Sequence, residues 1–426
     1  MSAPVTSPGA FDTGAVTTGA VKAAAAARPG RSRLLDRPLT SYYLVLGITV
    51  LLVALGLVMV LSTTSAASLA SGGSPYSGFQ KQLVGVIVGL PLMWIAAKAP
   101  PVLFRAAAYP MIAATVLGLM LVLAVGPKVN GAERWISVAG FQLQPSEFAK
   151  LAFVLWGADL LARKEKVGQL ADWRHLLIPL LPGAAIISML VMLGDDLGTT
   201  FVLLVIFLTL LWVIGTPGRL FFGMLGLMGF AMLVLTVVAS YRLSRITGFF
   251  HPQSMTSTAN YQEIEGTRAV GSGGWFGVGL GAGKLKWGYV PNATTDFIFA
   301  IIGEELGLLG TLCVTFLYGG LAYAGMRIAR RVPDTFMRLA AAAITAWIVV
   351  QALVNIGAVI GVLPITGVPL PLVSAGLSSL LVTLVALGML MSFAKREPGA
   401  SQALAAAGPG PVLRVLSWLG LTGRRG

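Results

Sequence analysis

Charge is what this chain of 426 residues has least of: Asp, Glu, Lys and Arg make up 11% of it, against the roughly 25% of an average soluble domain. A water-facing surface cannot be assembled from so few ionisable groups, so a soluble globular fold is excluded. Cysteine is nearly absent. The single one, Cys313, lies within an apolar run, so no disulfide framework and no thiolate metal site can be built, and it is expected as a buried structural thiol. Basic residues interleaved with exposed aromatics on a soluble module are also lacking, which excludes a nucleic-acid partner despite a formal net charge of +14.

Apolar residues, at 56%, fill the space instead. Long runs recur at about 42–61, 82–97, 104–125, 148–161, 177–193, 198–215, 219–239, 297–326, 340–363 and 377–394. Most match the roughly 20 residues that cross a hydrocarbon core, which predicts an all-α polytopic membrane protein with ten transmembrane helices. Residues 1–40, rich in Ala, Gly, Ser, Thr and Pro, read as a disordered tail, 41–396 as the transmembrane domain, and 397–426 as a second tail in which 412–421 lies along the interface. The run before Ser65-Ala66-Ala67 is too long for a signal peptide and is read as a retained first helix.

The basic residues are distributed unevenly. Arg163, Lys164, Lys166 and Arg174, then Arg327, Arg330, Arg331 and Arg338, fall in loops on the side shared with both tails. This is the positive-inside pattern, so both termini are expected in the cytoplasm and the excess charge reports topology and contact with anionic lipid.

Three segments on the opposite side interrupt the apolar pattern. The longest, 241–296, is too polar to span and forms a long extracytoplasmic loop before helix 8; it contains Gln262, Glu263 and Glu265, the glycine-rich run 271–281, then Lys284, Lys286, Tyr289 and Pro291. Glu263 and Glu265 read as solvated carboxylates. A second segment carries Asn130 to Trp135 and then Gln144-Pro145-Ser146-Glu147-Phe148-Ala149-Lys150; Ser146 is a plausible N-cap, and Glu147 and Lys150 share a helical face. The third places Pro364, Pro369 and Pro371 before Ser374 outside a membrane helix, where irregular backbone is tolerated if it is buried in protein or lines a cavity.

Asp296 opens the apolar run 297–302, where an unpaired carboxylate is costly. If that run is helical from its start, Asp296 and Glu304, with Ala300 between them, lie on one face. Ionisable side chains at a membrane boundary mark functional sites by default.

Taken in order, Gly131-Ala132-Glu133-Arg134-Trp135, Gln144 to Lys150, Asp196-Leu197-Gly198-Thr199, Gly271-Ser272-Gly273-Gly274, Thr295 to Ala300 and Pro364 to Pro371 resemble the SEDS family (shape, elongation, division and sporulation), its FtsW branch more than its RodA branch. The resemblance spans about 42–396. It implies a glycosyltransferase that polymerises lipid II, the undecaprenyl-diphosphate disaccharide-pentapeptide, on the outer face of the bacterial cytoplasmic membrane. It also implies a class B penicillin-binding protein as transpeptidase partner beside other division proteins, with helices 8 and 9 or the outer loops as contacts. The family's essential aspartate matches Asp296, its Arg and Trp match Arg134 and Trp135, and its Glu and Lys match Glu147 and Lys150. Three positions depart from the pattern: Thr294 stands where many members have His, Asp195 adds a carboxylate, and 374–379 reads Ser-Ala-Gly-Leu-Ser-Ser.

The chemistry suits these residues. Joining two lipid-linked sugars needs a base for the attacking hydroxyl and cations for the departing diphosphate. Asp296 is the candidate catalytic base; Arg134, Trp135, Glu147, Lys150, Gln262, Lys286 and Ser374 are candidate substrate-binding residues. No protein metal site is expected, although a divalent cation bridging carboxylate and phosphates would serve as well as Lys and Arg. Two readings of other classes remain, a flippase or transporter for the same lipid and a noncatalytic division scaffold. Transporters tend to carry internal repeats around a midplane site, and none is discernible here.

Overall fold

The computed structural model describes residues 39–70, 72–127, 134–138, 141–169, 172–238, 258–400 and 402. The expected tail 1–40 apart from 39 and 40, the expected tail 397–426 apart from 397–400 and 402, with its interfacial segment 412–421, and the stretch 239–257 of the long loop lie outside these residues.

The chain forms α1 (Thr40–Ala70), α2 (Ser77–Lys98), α3 (Pro101–Val125), a hairpin of β1 (Ile136–Val138) and β2 (Phe141–Leu143), α4 (Pro145–Lys166), α5 (Trp173–Leu177), α6 (Leu180–Leu193), α7 (Leu197–Ile214), α8 (Gly218–Val238), α9 (Thr258–Ser272), α10 (Ile298–Arg331), α11 (Thr335–Val359) and α12 (Leu377–Ala394). Among the described residues nine helices are long and apolar enough to cross a membrane: α1, α2, α3, α5 with α6, α7, α8, α10, α11 and α12. They coincide with nine of the ten runs read from the sequence.

The remaining run, 148–161, lies in α4. At 22 residues α4 is about 33 Å long, enough to span, yet it carries Glu147, Lys150, Asp159, Arg163, Lys164, Glu165 and Lys166. Its surroundings explain the tolerance. Every residue from Ala149 to Ala162 is buried, because α4 is enclosed by α3, α7, α11 and α12, so its polar side chains meet protein and not lipid. The bundle is layered accordingly. In α11 and α12 78% of the apolar window is buried, in α8 only 11%, and α8 packs on α7 while turning Phe222, Leu225, Phe230 and Leu233 outward.

Two local expectations are corrected. Cys313 is exposed, on the outward face of α10, because a side chain there meets lipid and an apolar run does not distinguish lipid from core. Ser146 does not cap α4. Gln144 occupies the N-cap position with Pro145 at the first turn, where a missing N–H costs nothing, and the Ser146 hydroxyl turns to Asp196 instead.

Because successive long helices run antiparallel, the loops gather at two ends. One end collects 134–138, 141–144, 194–196, 273–297 and 361–376; the other collects Arg105, Arg163, Glu165, Arg327, Arg331, Asp334 and Arg338.

Candidate active site

Asp296 lies in a turn, residues 291–297, and not in α10. The helix begins at Ile298, so Asp296 and Glu304 do not share a helical face as expected. Phe297, 1% exposed, is wedged over Gly266 of α9, and this pins the chain before the helix can start. The Asp296 side chain is half-buried.

Three elements grip the backbone of this turn, and a fourth holds one of them. Ser374 Oγ donates to Thr295 O at 2.6 Å and accepts from Leu370 N at 2.8 Å, while Ala375 N donates to Thr294 O at 3.0 Å. Asn355 of α11 donates through Nδ2 to both Asp296 O and Val368 O at 2.7 Å. Gln262 of α9 donates to Pro291 O at 3.1 Å, and Gln82 of α2 reaches both Ser374 O and Gly376 N. Prolines at 364, 369 and 371 remove backbone donors from the facing segment, so side-chain amides and hydroxyls do the joining.

The glycine-rich segment is built into a break in α10. Gly307 has φ 67° and ψ −163°, and the interruption frees carbonyls before it and N–H groups after it. The loop replaces the lost bonds: Val278 N and Gly279 N donate to Glu304 O and Glu305 O, and Leu308 N and Leu309 N donate to Gly274 O and Trp275 O. A Cβ on Gly277 would sit 2.1 Å from Glu305 O, so the approach requires glycine.

Charge completes the stitching. Glu304 Oε1 accepts from Lys284 N and Leu285 N at 2.7 and 3.2 Å. Glu305, fully buried, accepts from Lys286 Nζ and Ser62 Oγ, both at 2.7 Å, and from Gly281 N at 3.0 Å. Lys286 is therefore committed inside the protein. Glu263 and Glu265 lie on helix α9, and the expectation of solvated loop carboxylates is corrected: Glu265 is 4% exposed and paired with Arg268 at 2.7 Å. Glu263 is half-buried, and that burial raises its carboxyl above the ordinary value.

A third group joins the motifs around 134, 146 and 196. Asp196 caps α7 and accepts from Thr199 N, Thr199 Oγ1, Ser146 Oγ and Gln144 Nε2 at 3.1, 2.8, 3.0 and 2.9 Å. Arg134 donates to the carbonyls of Gly194 and Asp195, and these bonds orient the guanidinium without cancelling its charge. Asp195, the additional carboxylate, adopts φ 62°, a left-handed conformation that Asp tolerates better than most residues. Arg134 and Asp196 face a shallow recess walled by Leu119 and Val122 of α3 and Leu190 and Val191 of α6. Trp135, the next residue in the chain, is partly exposed.

Lys150 and Glu147 form the expected pair at 2.8 Å, but at 1% and 2% exposure both lie inside the bundle. Lys150 Nζ also donates to Gln351 Oε1 at 3.1 Å and sits 5.0 Å over Trp347, and Gln351 Nε2 donates to Pro369 O at 2.9 Å. The pair thus supports the proline segment that holds Asp296.

The sequence reading did not single out Asp196, Gln351, Asn355, Gln82, Ser62 or Glu305 as site residues. Gln351 and Asn355 had a legible signal: two amides four apart on one face of an otherwise apolar helix.

The order of these motifs matches a family model described as cell cycle protein, FtsW/RodA/SpoVE, over residues 42–398. The chain belongs to that family. A probable peptidoglycan glycosyltransferase FtsW of Mycobacterium tuberculosis is 42% identical over 400 residues, covering 92% of this chain and 76% of the relative. Stage V sporulation protein E of Bacillus subtilis is 35% identical over 352 residues, 82% of this chain and 95% of the relative. Among solved structures, a chain from a peptidoglycan synthase complex, described for its coordination of polymerization and crosslinking, superposes with a TM-score of 0.65 at 27% identity, covering 82% of this chain and 96% of that one. The rod shape determining protein RodA of Thermus thermophilus gives 0.58 at 29% identity, with 85% and 98% covered. Family membership makes the protein a multi-pass bacterial membrane protein.

Proposed function

We propose that the protein is a peptidoglycan glycosyltransferase that polymerises lipid II into glycan strands during cell division, with Asp296 as general base. The observation that carries this is the Asp296 turn: a half-buried carboxylate whose backbone is fixed by α9, α11 and the proline segment through direct hydrogen bonds, with Gln82 of α2 holding the proline segment in turn. A base held to a single geometry is what proton transfer at a positioned hydroxyl requires. The names of the relatives support the reading.

In this mechanism the acceptor sugar hydroxyl gives its proton to Asp296 as its oxygen bonds to the donor's anomeric carbon and the carbon–oxygen bond to the diphosphate breaks. Diphosphate is already a good leaving group, so no second acid is needed. Arg134, half-exposed and free of a carboxylate among its two hydrogen-bond partners, stabilises the departing charge, and the apolar walls beside it suit the first part of a polyprenyl chain. Trp135 lines the same approach. Lys150, Glu147, Gln262, Lys286 and Ser374 act through the backbone they hold in place, and so are positioning residues in this account. Among the described residues no group of three or more His, Cys, Asp or Glu gathers as a metal would need, so a divalent cation at Asp296 would complete its shell from phosphate oxygens.

We further infer that α4 is a tenth span, that both termini face the cytoplasm, and that the loops around Asp296 open to the outer face. A class B penicillin-binding protein would then meet the protein there or along α10 and α11.

Reconstituted protein supplied with purified lipid II, with and without such a transpeptidase, tests the proposal. Glycan chains should form, and Asp296→Asn should lower the rate by about 10²–10⁴-fold with an unchanged melting temperature. Normal polymerisation by a folded Asp296→Asn variant removes Asp296 as base, and lipid movement between leaflets without glycan product replaces polymerisation by transport.

A further inference from the structure

The segment stitched into the α10 break carries a surface that the catalytic reading does not use. Trp275, Phe276, Leu280, Trp287 and Tyr289 are 68%, 81%, 59%, 52% and 57% exposed, although the segment belongs to no spanning helix. Side chains of this size gathered on one loop mark a contact surface.

Its height relative to the bilayer follows from α10. Below the break the helix runs uninterrupted to the exposed pair Arg330 and Arg331, which mark the polar boundary at that end. From Leu309 to Arg330 a rise of 1.5 Å per residue amounts to about 32 Å, close to the roughly 30 Å of a hydrocarbon core. Leu309 therefore lies at the opposite hydrocarbon boundary. The hydrogen bonds from Leu308 N to Gly274 O and from Leu309 N to Trp275 O hold the aromatic loop at that level. Directly beneath, Leu309, Leu312 and Phe316 face outward from α10, so the loop continues a lipid-facing wall. Trp and Tyr with a nearby exposed Lys284 make up the composition that favours the headgroup boundary over either water or hydrocarbon.

We propose that residues 275–289 form an interfacial anchor, with Trp275, Phe276, Leu280, Trp287 and Tyr289 inserted into the outer-leaflet headgroup boundary. The occupant of this surface is the bilayer. Because the same segment leads without a break into the 291–297 turn, the anchor sets the height of Asp296 above the hydrocarbon, and this consequence alone rests on the proposed function.

The test places nitroxide labels on the full-length protein in phosphatidylethanolamine–phosphatidylglycerol vesicles. Cys313 of the natural chain, outward on α10, supplies the hydrocarbon reference, and single cysteines at Phe276, Leu280, Tyr289 and Ser272 are made on a Cys313→Ser background. Labels at 276, 280 and 289 should collide with dissolved oxygen several-fold more, relative to a water-soluble nickel chelate, than the label at Ser272, and less than the one at Cys313. Free access of the chelate to 276, 280 and 289 overturns the proposal. So does protection that appears only when a transpeptidase chain is added, which would assign the surface to a protein. Three independent positions keep the test decisive if one variant fails to fold. Collision rates need no turnover: lipid burial without glycan synthesis would refute the catalytic reading and leave the anchor standing.

Discussion

The two ends of this bundle handle charge in different ways. At the Arg163 end, ion pairs join neighbouring helices: Asp159 of α4 meets Arg105 of α3 at 3.6 Å besides Arg163 of its own helix at 2.7 Å, Arg105 reaches Asp334 at 3.3 Å, and Arg338 meets Glu165 at 3.1 Å. Arg105, Arg163 and Arg338 keep a quarter or more of their side-chain surface in solvent, whereas Arg327, beside Glu397, is enclosed. At the Asp296 end, Lys286 with Glu305 and Lys150 with Glu147 are almost wholly enclosed; Ser62 of α1 bridges the first pair, and other bonds of the two pairs go to backbone or to Gln351, which holds backbone. Regular helices satisfy their own peptide groups, so charge at their ends only joins them. Irregular chain at membrane depth cannot do so, and there charge and amide side chains determine its shape.

The largest expected effect is therefore at Lys286. Lys286→Met leaves Glu305 buried without its cation, which costs about 3–5 kcal/mol. A large drop in melting temperature and new protease cuts within 273–291 would show it; a variant as stable as its parent would mean that the glycine-rich segment holds without charge.

Asn355 comes next. Asn355→Leu deprives Asp296 O and Val368 O of their shared donor at a cost of about 1–3 kcal/mol. Turnover per folded molecule should fall beyond what the stability loss explains if Asp296 is the base proposed above, because the substitution displaces it. Unchanged turnover would show that Ser374 and Ala375 suffice to hold the turn.

Arg338→Gln at the other end should change stability by at most about 1 kcal/mol, since both partners are more than a third exposed. A loss as large as that of Lys286→Met would erase the contrast between the two ends.

The smallest effect is expected at Glu263, and its sign depends on pH. Burial raises its carboxyl, so the folded protein holds that proton more firmly than the unfolded chain, and stability falls as pH rises through the folded value. Glu263→Gln should match the parent in acid below the ordinary Glu range and melt slightly higher at neutral pH. Melting curves across that range would reveal a reversed order if Glu263 is instead stabilised in its charged form.

The spans and the motif order were legible because hydropathy and spacing are local properties. The start of α10 was not: whether Asp296 joins the helix depends on Phe297 meeting Gly266 from another element. The fate of Lys286 was hidden for the same reason. Its proximity in sequence to Asp296 suggested a ligand cation, whereas Glu305 and Ser62, brought by α10 and α1, enclose it. Asp195 and Thr294 remain departures from the family pattern that the structure does not explain.

The burial of α4 also bears on how the protein is made. A segment with Glu147, Lys150 and Asp159 along its length gains little from entering lipid alone, and its shelter includes α11, whose first residue, Thr335, is synthesised about 170 residues after Lys166. At roughly 5–20 residues per second, translation leaves α4 incompletely housed for on the order of 10–30 seconds. During that interval α3, joined to it by the β1–β2 hairpin, and then α7 are its companions, so α4, as the tenth span proposed above, would enter the bilayer paired with α3 or wait at the translocation channel until later helices arrive.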